Sequence, residues 1–344
     1  MILNETPVRT SKNYRINNIE IDNLILPEKL KQFKGLEIQS RKSEISSDTS
    51  KIDLVHGNGR EITDNVINNS NSNVRINVKD SKIWITYVLD DNNRKLVSNL
   101  ELLVENNTNI IIEYVSKTDK PCFHNGIIRL TAKENIKANV SIVNFLNEKS
   151  TNIYAIENNI LDNANVDYTI IDLGAKNSIS NFYSNVTGNE AKNTIDTVYI
   201  GKDKDIKDIN YIVDLYGEKA FTNINVQGAL KDKSLKNFKG TIDFKKGSKK
   251  AKGNEDEFCM LLSDEAVSRA LPMLLCTEDD IEGNHSSASG KVDDKELFYI
   301  MSRGISYNEA IKLIVKARFN TIIDKIWCQR VKSEVIKEID RRLD

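Results

Sequence analysis

The sequence predicts a mainly β protein, a solenoid of stacked coils with a helical C-terminal region and an irregular N-terminal region. Three observations carry this. Short β-favouring runs recur from about residue 74 to about residue 275, an array too long for one ordinary sandwich. Their spacing stays fairly regular, with starts near residues 166, 179, 194, 209 and 221. The Asn-Gly and Asp-Gly dipeptides that mark tight hairpins are nearly absent. Spacing of this kind alone fits either a β-sandwich or a β-solenoid. Length and missing hairpins favour the solenoid, in which each coil pairs with the coils above and below and asparagine suits the corners.

Residues 1–75 are polar and irregular, with SRKSEISSDTSK (40–51) and NVINNSNSNVR (65–75) hard to place in any core. Two apolar segments, 19–26 and 52–55, are available to pack on a neighbouring body, and the expectation is a loosely attached region. The β-helix core is assigned to residues 76–285. Its strands are expected at IWITYVL (83–89), IIIEYV (110–115), VSIVNFL (140–146), VDYTIIDL (166–173) and ISNFYSNV (179–186). They continue at TIDTVYIG (194–201), INYIVDLYG (209–217), FTNINVQG (221–228) and GTIDFKKG (240–247). Each combines β-branched or aromatic residues with apolar–polar alternation, the pattern of a strand.

Residues 286–344 turn helical. Asp293 caps a first helix with Glu296 in its first turn and Gly304 as its stop. Ser306 and Glu309 form a capping-box pair ahead of a second helix. There Ala310, Leu313, Ile314 and Ala317 fall on one stripe, extended through Ile322, Ile323 and Ile326. A charged last helix over 331–343 has one narrow apolar face, Val331, Val335, Ile336 and Ile339.

Bulk composition excludes several functions. Lys+Arg 49 against Asp+Glu 50 leaves a net charge of −1, which does not suit a nucleic-acid binder. No apolar run approaches the roughly 18 residues of a membrane span, and the first residues lack the apolar core of a secretory leader. The expected location is cytoplasmic. Cys122, Cys259, Cys276 and Cys328 are widely spaced with no C-x-x-C pair, against a zinc knuckle or a self-contained cluster cradle. Each is expected as a small buried apolar residue, Cys276 included, although it lies close to His285 in the chain. The TEDDIE cluster (277–282) has oxygen ligands but reads as a solvated turn. His56 and His124 have no chemical context and read as structural. His285 stands in a small-residue loop.

Three pieces of sequence then stand in a telling order: LPMLL (271–275), DDIE (279–282) before His285, and LFYIMSRGIS-x-x-EA-x-x-LI (297–314). This order resembles the C-terminal end of the SufB/SufD family of iron–sulfur cluster assembly scaffolds. The likeness covers about fifty residues strongly; the preceding two hundred agree in character only, and residues 7–17 agree weakly. It implies a right-handed parallel β-helix with short helical regions at its ends. SufB-type proteins carry a cysteine where this chain has Ala266, and a glutamate after the histidine where it has Ser286. Only the histidine remains, which looks most like SufD. The SufD string C-x-H-G-A reads Gly283-Asn284-His285-Ser286-Ser287 here, without its cysteine.

The resemblance implies a non-catalytic subunit that pairs with a SufB-like subunit and docks a SufC-like ABC ATPase. His285 would be a metal ligand of a transient iron–sulfur cluster shared across the interface, with none held by this chain alone. The ATPase surface would comprise Leu297, Phe298, Tyr299, Ser302, Arg303, Gly304, Ile305, Glu309 and Lys312, with Lys316 and Arg318 also facing the partner. The same helical tail reads alternatively as a plain cap on the last coil. In isolation a homodimer is conceivable; neither nucleic acid nor membrane is an expected partner. No G-x-x-x-x-G-K-[ST] loop occurs, so nucleotide hydrolysis must come from elsewhere. The competing functions are a carbohydrate-active β-helix, which would use a carboxylate pair or calcium, and a purely structural solenoid.

Overall fold

The computed structural model describes residues 1–10 and 14–344; residues 11–13, within the weakly matching stretch 7–17, lie outside the described residues. The body is a parallel β-solenoid of about eight turns. One sheet stacks Lys82–Leu89, Thr108–Ser116, Lys137–Phe145, Asn165–Asp172, Lys192–Gly201, Phe221–Leu230, Ala251–Leu261 and Ile281–Gly290. The facing sheet stacks Ser72–Val78, Lys95–Val104, Phe123–Ala132, Thr151–Ile160, Asn177–Val186, Ile206–Leu215, Leu235–Phe244 and Val267–Cys276. At the N-terminal end each sheet is closed by a short antiparallel strand, Leu36–Gln39 and Glu44–Ser46.

Stacking in register makes like positions of successive coils into columns. One column runs Ile110, Val140, Tyr168, Ile195 and Ile224, all buried. Aromatic rings from facing sheets interlock along the interior: Tyr168, Phe182, Tyr211 and Phe238 meet edge to face at centroid separations of 4.8, 5.6 and 6.3 Å. One series of corners turns on a left-handed residue at Asn135, Asn163, Glu190, Lys219 and Lys250, and the opposite corner does so at Ala175, Asp203 and Asp232. Each residue of the first series donates its backbone N–H to a corner carbonyl of the next coil, ending at Asp280. That repeated hydrogen bond meets the strain of a positive φ on non-glycine residues, so asparagine is not required at every corner.

The sequence finds most strands of the first sheet but misses Ala251–Leu261 there. In the second it misses Ser72–Val78, which begins inside the segment 65–75 set outside any core, Lys95–Val104, Phe123–Ala132 and Thr151–Ile160. It also sets the run 240–247 too late, since the strand is Leu235–Phe244. These strands hold polar side chains at buried positions, including His124, Asn152 and Lys236, so alternation is blurred.

The N-terminal region is not loosely attached. Leu3, Ile19 and Ile21 pack with Ile62, Ile153 and Ile179 on the outer face of the second sheet. Helix α1, Arg60–Asn69, sits beside them, and Ile52 and Leu54 join its cluster. Asn4 donates to Asp208 at 2.6 Å and to the Ser180 carbonyl at 2.9 Å. Buried Lys239 bridges the Asn4 carbonyl and Asp208. Thus the two apolar segments do find a neighbouring body, and buried polar bonds lock the chain ahead of the first of them.

Three helices follow the last coil: α2, Asp294–Met301; α3, Tyr307–Ile323; and α4, Gln329–Leu343. Asp293 caps α2 through two backbone N–H groups, and Ser306 with Glu309 forms the full capping box of α3. Their tail does not cap the final coil. Helices α3 and α4 lie along the side, where Ile314, Val315, Phe319, Val331 and Val335 cover Ile111, Val143, Ile171 and Val198 of the first sheet. The expected stripe on α3 is turned: Ala310 and Ile314 are buried, but Leu313 and Ala317 are exposed and Val315 and Phe319 take their place. A flat sheet accepts a broader helix face than a regular 3–4 stripe anticipates. On α4, Val331, Val335 and Ile339 are buried and Ile336 is exposed. Among the described residues no helix is long and apolar enough to cross a membrane.

Candidate functional site

With the helices on the flank, none of the described residues stacks beyond the last coil. Its strands Val267–Cys276 and Ile281–Gly290 are exposed or half-buried through most of their length, whereas earlier coils are sealed. Each presents an unpaired edge of backbone N–H and C=O groups, a ready template for another strand.

His285 lies in the middle of this final strand, not in a loop. The small polar residues Ser286, Ser287, Ala288, Ser289 and Gly290 have weak intrinsic strand preference. Register on Ala251–Leu261 imposes the conformation. That register extends the Ile195–Ile224 column to Glu255 and then His285, so His285 occupies an inward-facing position. It is exposed because the solenoid ends there.

Behind it the interior becomes polar. Glu255 is 1 % exposed, and neither carboxylate oxygen has a hydrogen-bond partner. Its carboxyl group lies against the Cα of Gly240 across the interior, where any β-carbon would collide at 1.9 Å. Burial, and then the negative charge of Glu257, pushes the Glu255 carboxyl up to about 8. Glu257 by contrast is bonded to Lys236 at 2.6 Å and accepts from Ser287 at 2.8 Å. Cys259, the next inward residue, is buried, and burial raises its thiol.

The remaining candidates separate cleanly. Cys276 is exposed at the end of its strand, not buried, because its inward position faces the open end. Cys122 and Cys259 are buried as expected. His124 is a sealed core residue between Ser98 and Asn152, at 3.0 and 2.7 Å, and burial lowers its imidazole to about 4. His56 packs edge-on to Tyr183. Of the 277–282 segment, residues 277–280 form the turn and Ile281 and Glu282 begin the last strand. Among the described residues no group of three or more His, Cys, Asp or Glu is arranged to hold a metal ion. One imidazole and one carboxyl at the open end can therefore contribute to a shared site but do not close one.

On the helical flank, Phe298 and Tyr299 are 74 % and 59 % exposed, with Met301, Tyr307 and Leu313 also open to solvent. Large apolar side chains exposed in number on two neighbouring helices suit an interaction surface. Arg303 lies over the Tyr299 ring at 4.8 Å, and Ser302 donates to the Tyr299 carbonyl. Gly304 takes a positive φ of 87° that closes the α2–α3 turn, with Ile305 half-buried. Leu297 packs inward against the flank core. Glu309 is engaged in the capping box. Of the basic residues expected to face outward, Lys312 pairs with Asp344, Lys316 pairs with Asp340 at 2.7 Å, and Arg318 lies 3.8 Å over the Phe258 ring. The face is consequently aromatic more than cationic.

Comparison with known proteins bears on this arrangement. Residues 87–318 match the family model for the SUF system FeS cluster assembly, SufBD core domain. The iron–sulfur cluster assembly protein SufD of Bacillus subtilis is 22% identical over 268 residues, covering 77% of this chain and 61% of that protein. The chain thus spans about three-fifths of that relative's length. An iron–sulfur cluster assembly SufBD family protein of Pyrococcus horikoshii is 45% identical over 69 residues, covering 20% of this chain and 16% of that protein. SufD of Escherichia coli is 28% identical over 112 residues, covering 33% of this chain and 26% of that protein.

Proposed function

The chain belongs to the SufBD core domain family of the SUF iron–sulfur cluster assembly system, and from that premise we propose that it is a SufD-like scaffold subunit. It pairs with a SufB-like subunit through the bare last coil and docks a SufC-like ATPase through the aromatic face of α2 and α3. The observation that carries the reading is the placement of His285, inward-facing yet exposed at the uncovered end of the solenoid. A partner solenoid stacked there would sheathe both free strand edges and enclose the imidazole between two interiors. Neutral imidazole ligates iron, and thiolates from the partner would complete the coordination. The cluster is cargo formed at this junction and passed on; the scaffold itself catalyses no bond-making step.

Two results test this. In a complex reconstituted with SufB-like and SufC-like subunits, His285→Ala is expected to assemble normally while cluster yield falls several-fold, read by iron and sulfide content. Unchanged yield in an intact complex removes His285 from the site. Phe298→Ala combined with Tyr299→Ala is expected to weaken ATPase binding by about tenfold or more without lowering the melting temperature, because exposed aromatic anchors dominate interfaces. Wild-type affinity in that variant contradicts docking on this face. Point substitution is needed because deletion of the tail would uncover the flank of the first sheet.

A further inference from the structure

We propose that Glu255 is a second ligand at the open end, joining His285 in holding a divalent transition-metal ion such as ferrous iron. This rests on the reading of His285 given above and adds a residue one coil deeper. The two side chains stand directly opposite each other on neighbouring parallel strands, where backbones lie ~4.8 Å apart and side chains on the same face stack. An imidazole nitrogen and a carboxylate oxygen so placed can reach one ion at ~2.0–2.2 Å.

Glu255 also lacks any other explanation in the fold. Buried acids elsewhere are bonded: Glu257 to Lys236, Asp208 to Lys239, Asp172 to Lys207, Glu113 to Trp84 and Arg330. Among the described residues Glu255 is the buried acid with both carboxylate oxygens unsatisfied. An orphaned carboxyl in an aliphatic column costs stability. The column it interrupts holds Ile195 and Ile224 in the coils before it, so a leucine or valine would serve packing better. Gly240 leaves the room that the carboxyl group fills. An ion entering from the open end meets His285 first and finds the carboxylate behind it.

The test is anaerobic titration of the full chain with cobalt(II) chloride as a spectroscopic stand-in, read by the cobalt absorption bands and by nitrogen hyperfine coupling from imidazole. The wild-type chain is expected to bind cobalt with imidazole coupling, and His285→Ala to lose both. Glu255→Gln is expected to weaken binding roughly 10–100-fold, as loss of a supporting group at a metal site does, while keeping the imidazole coupling. An unchanged or higher melting temperature in Glu255→Gln shows that the loss is not misfolding. If His285→Ala abolishes binding and Glu255→Gln binds as wild type, Glu255 is not a ligand and the His285 reading stands. If His285→Ala binds as wild type, both fall. A wild-type chain that takes up no cobalt overturns the Glu255 inference alone, because a site completed by partner thiolates needs no affinity in the isolated chain.

Discussion

Arg342→Ala is expected to lower unfolding stability by about 3–5 kcal/mol, the cost of breaking a buried charge pair by removing one member. Arg342 is 1 % exposed near the end of α4, and its Nε donates to the Leu173 carbonyl at 2.6 Å. Its guanidinium stands 3.3 Å from buried Asp205, a charge contact without hydrogen-bond geometry, and 3.7 Å from Glu148. Removing it orphans a backbone carbonyl and leaves Asp205 with Lys207 as its nearby cation. Lys207 is itself committed to Asp172 and the Gly174 carbonyl. Urea unfolding measures the loss, and amide exchange should show α4 opening from the sheet. Asp205→Asn in the same background should restore part of the stability, since it removes the stranded charge. A change within about 0.5 kcal/mol for Arg342→Ala, the range of ordinary surface substitutions, would mean that apolar packing alone seats the helix.

Glu255→Leu works in the opposite direction and is expected to raise stability by about 2–4 kcal/mol near neutral pH. The gain combines relief of an unsatisfied buried group with removal of a proton-linked penalty, worth about 1.4 kcal/mol for each tenfold difference in proton affinity between the folded and unfolded chain. The folded carboxyl holds its proton to about 8, above its ordinary 4.5. The unfolded chain releases that proton from about pH 4.5 upward, so the folded state binds more protons in this window. Stability due to this group therefore falls as pH rises from about 4.5 to about 8, and is constant on either side. Glu255→Gln, which cannot ionise, should diverge from wild type across that interval and run parallel outside it. Melting curves from pH 4 to 9 check both points. Parallel curves throughout would show the carboxyl to be ionised and solvated in the folded protein.

Much of the architecture was legible, and the exceptions have physical causes. Aliphatic runs such as 83–89 and 110–115 gave strands because their side chains fill a dry interior. Capping residues Asp293, Ser306 and Glu309 fixed helix starts because they satisfy local backbone donors. Strands around His124, Asn152 and Lys236 were hidden because a solenoid pairs polar groups along columns spanning different coils. The linear sequence does not align those columns. The last strand was hidden for a related reason: residues 284–290 become β only by register on the strand before.

Part of the site was legible and part was not. His285 could be singled out by family likeness, but its inward position at an uncovered end could not. Glu255 gave no signal, since one acid in AKGNEDEFCML looks like surface until the register places it in a column with Ile224. The family likeness implied that the basic residues of α3 face a partner, yet Lys312 and Lys316 are held by Asp344 and Asp340 of the same chain.

The most direct measurement is purification of this protein from its native host under anaerobic conditions, with identification of co-purifying subunits and determination of iron and sulfide. The account predicts a complex containing SufB-like and SufC-like subunits, with iron and sulfide retained by the complex and lost when the chain is isolated. A chain recovered alone, or with itself only, in cells where those two subunits are present would contradict it.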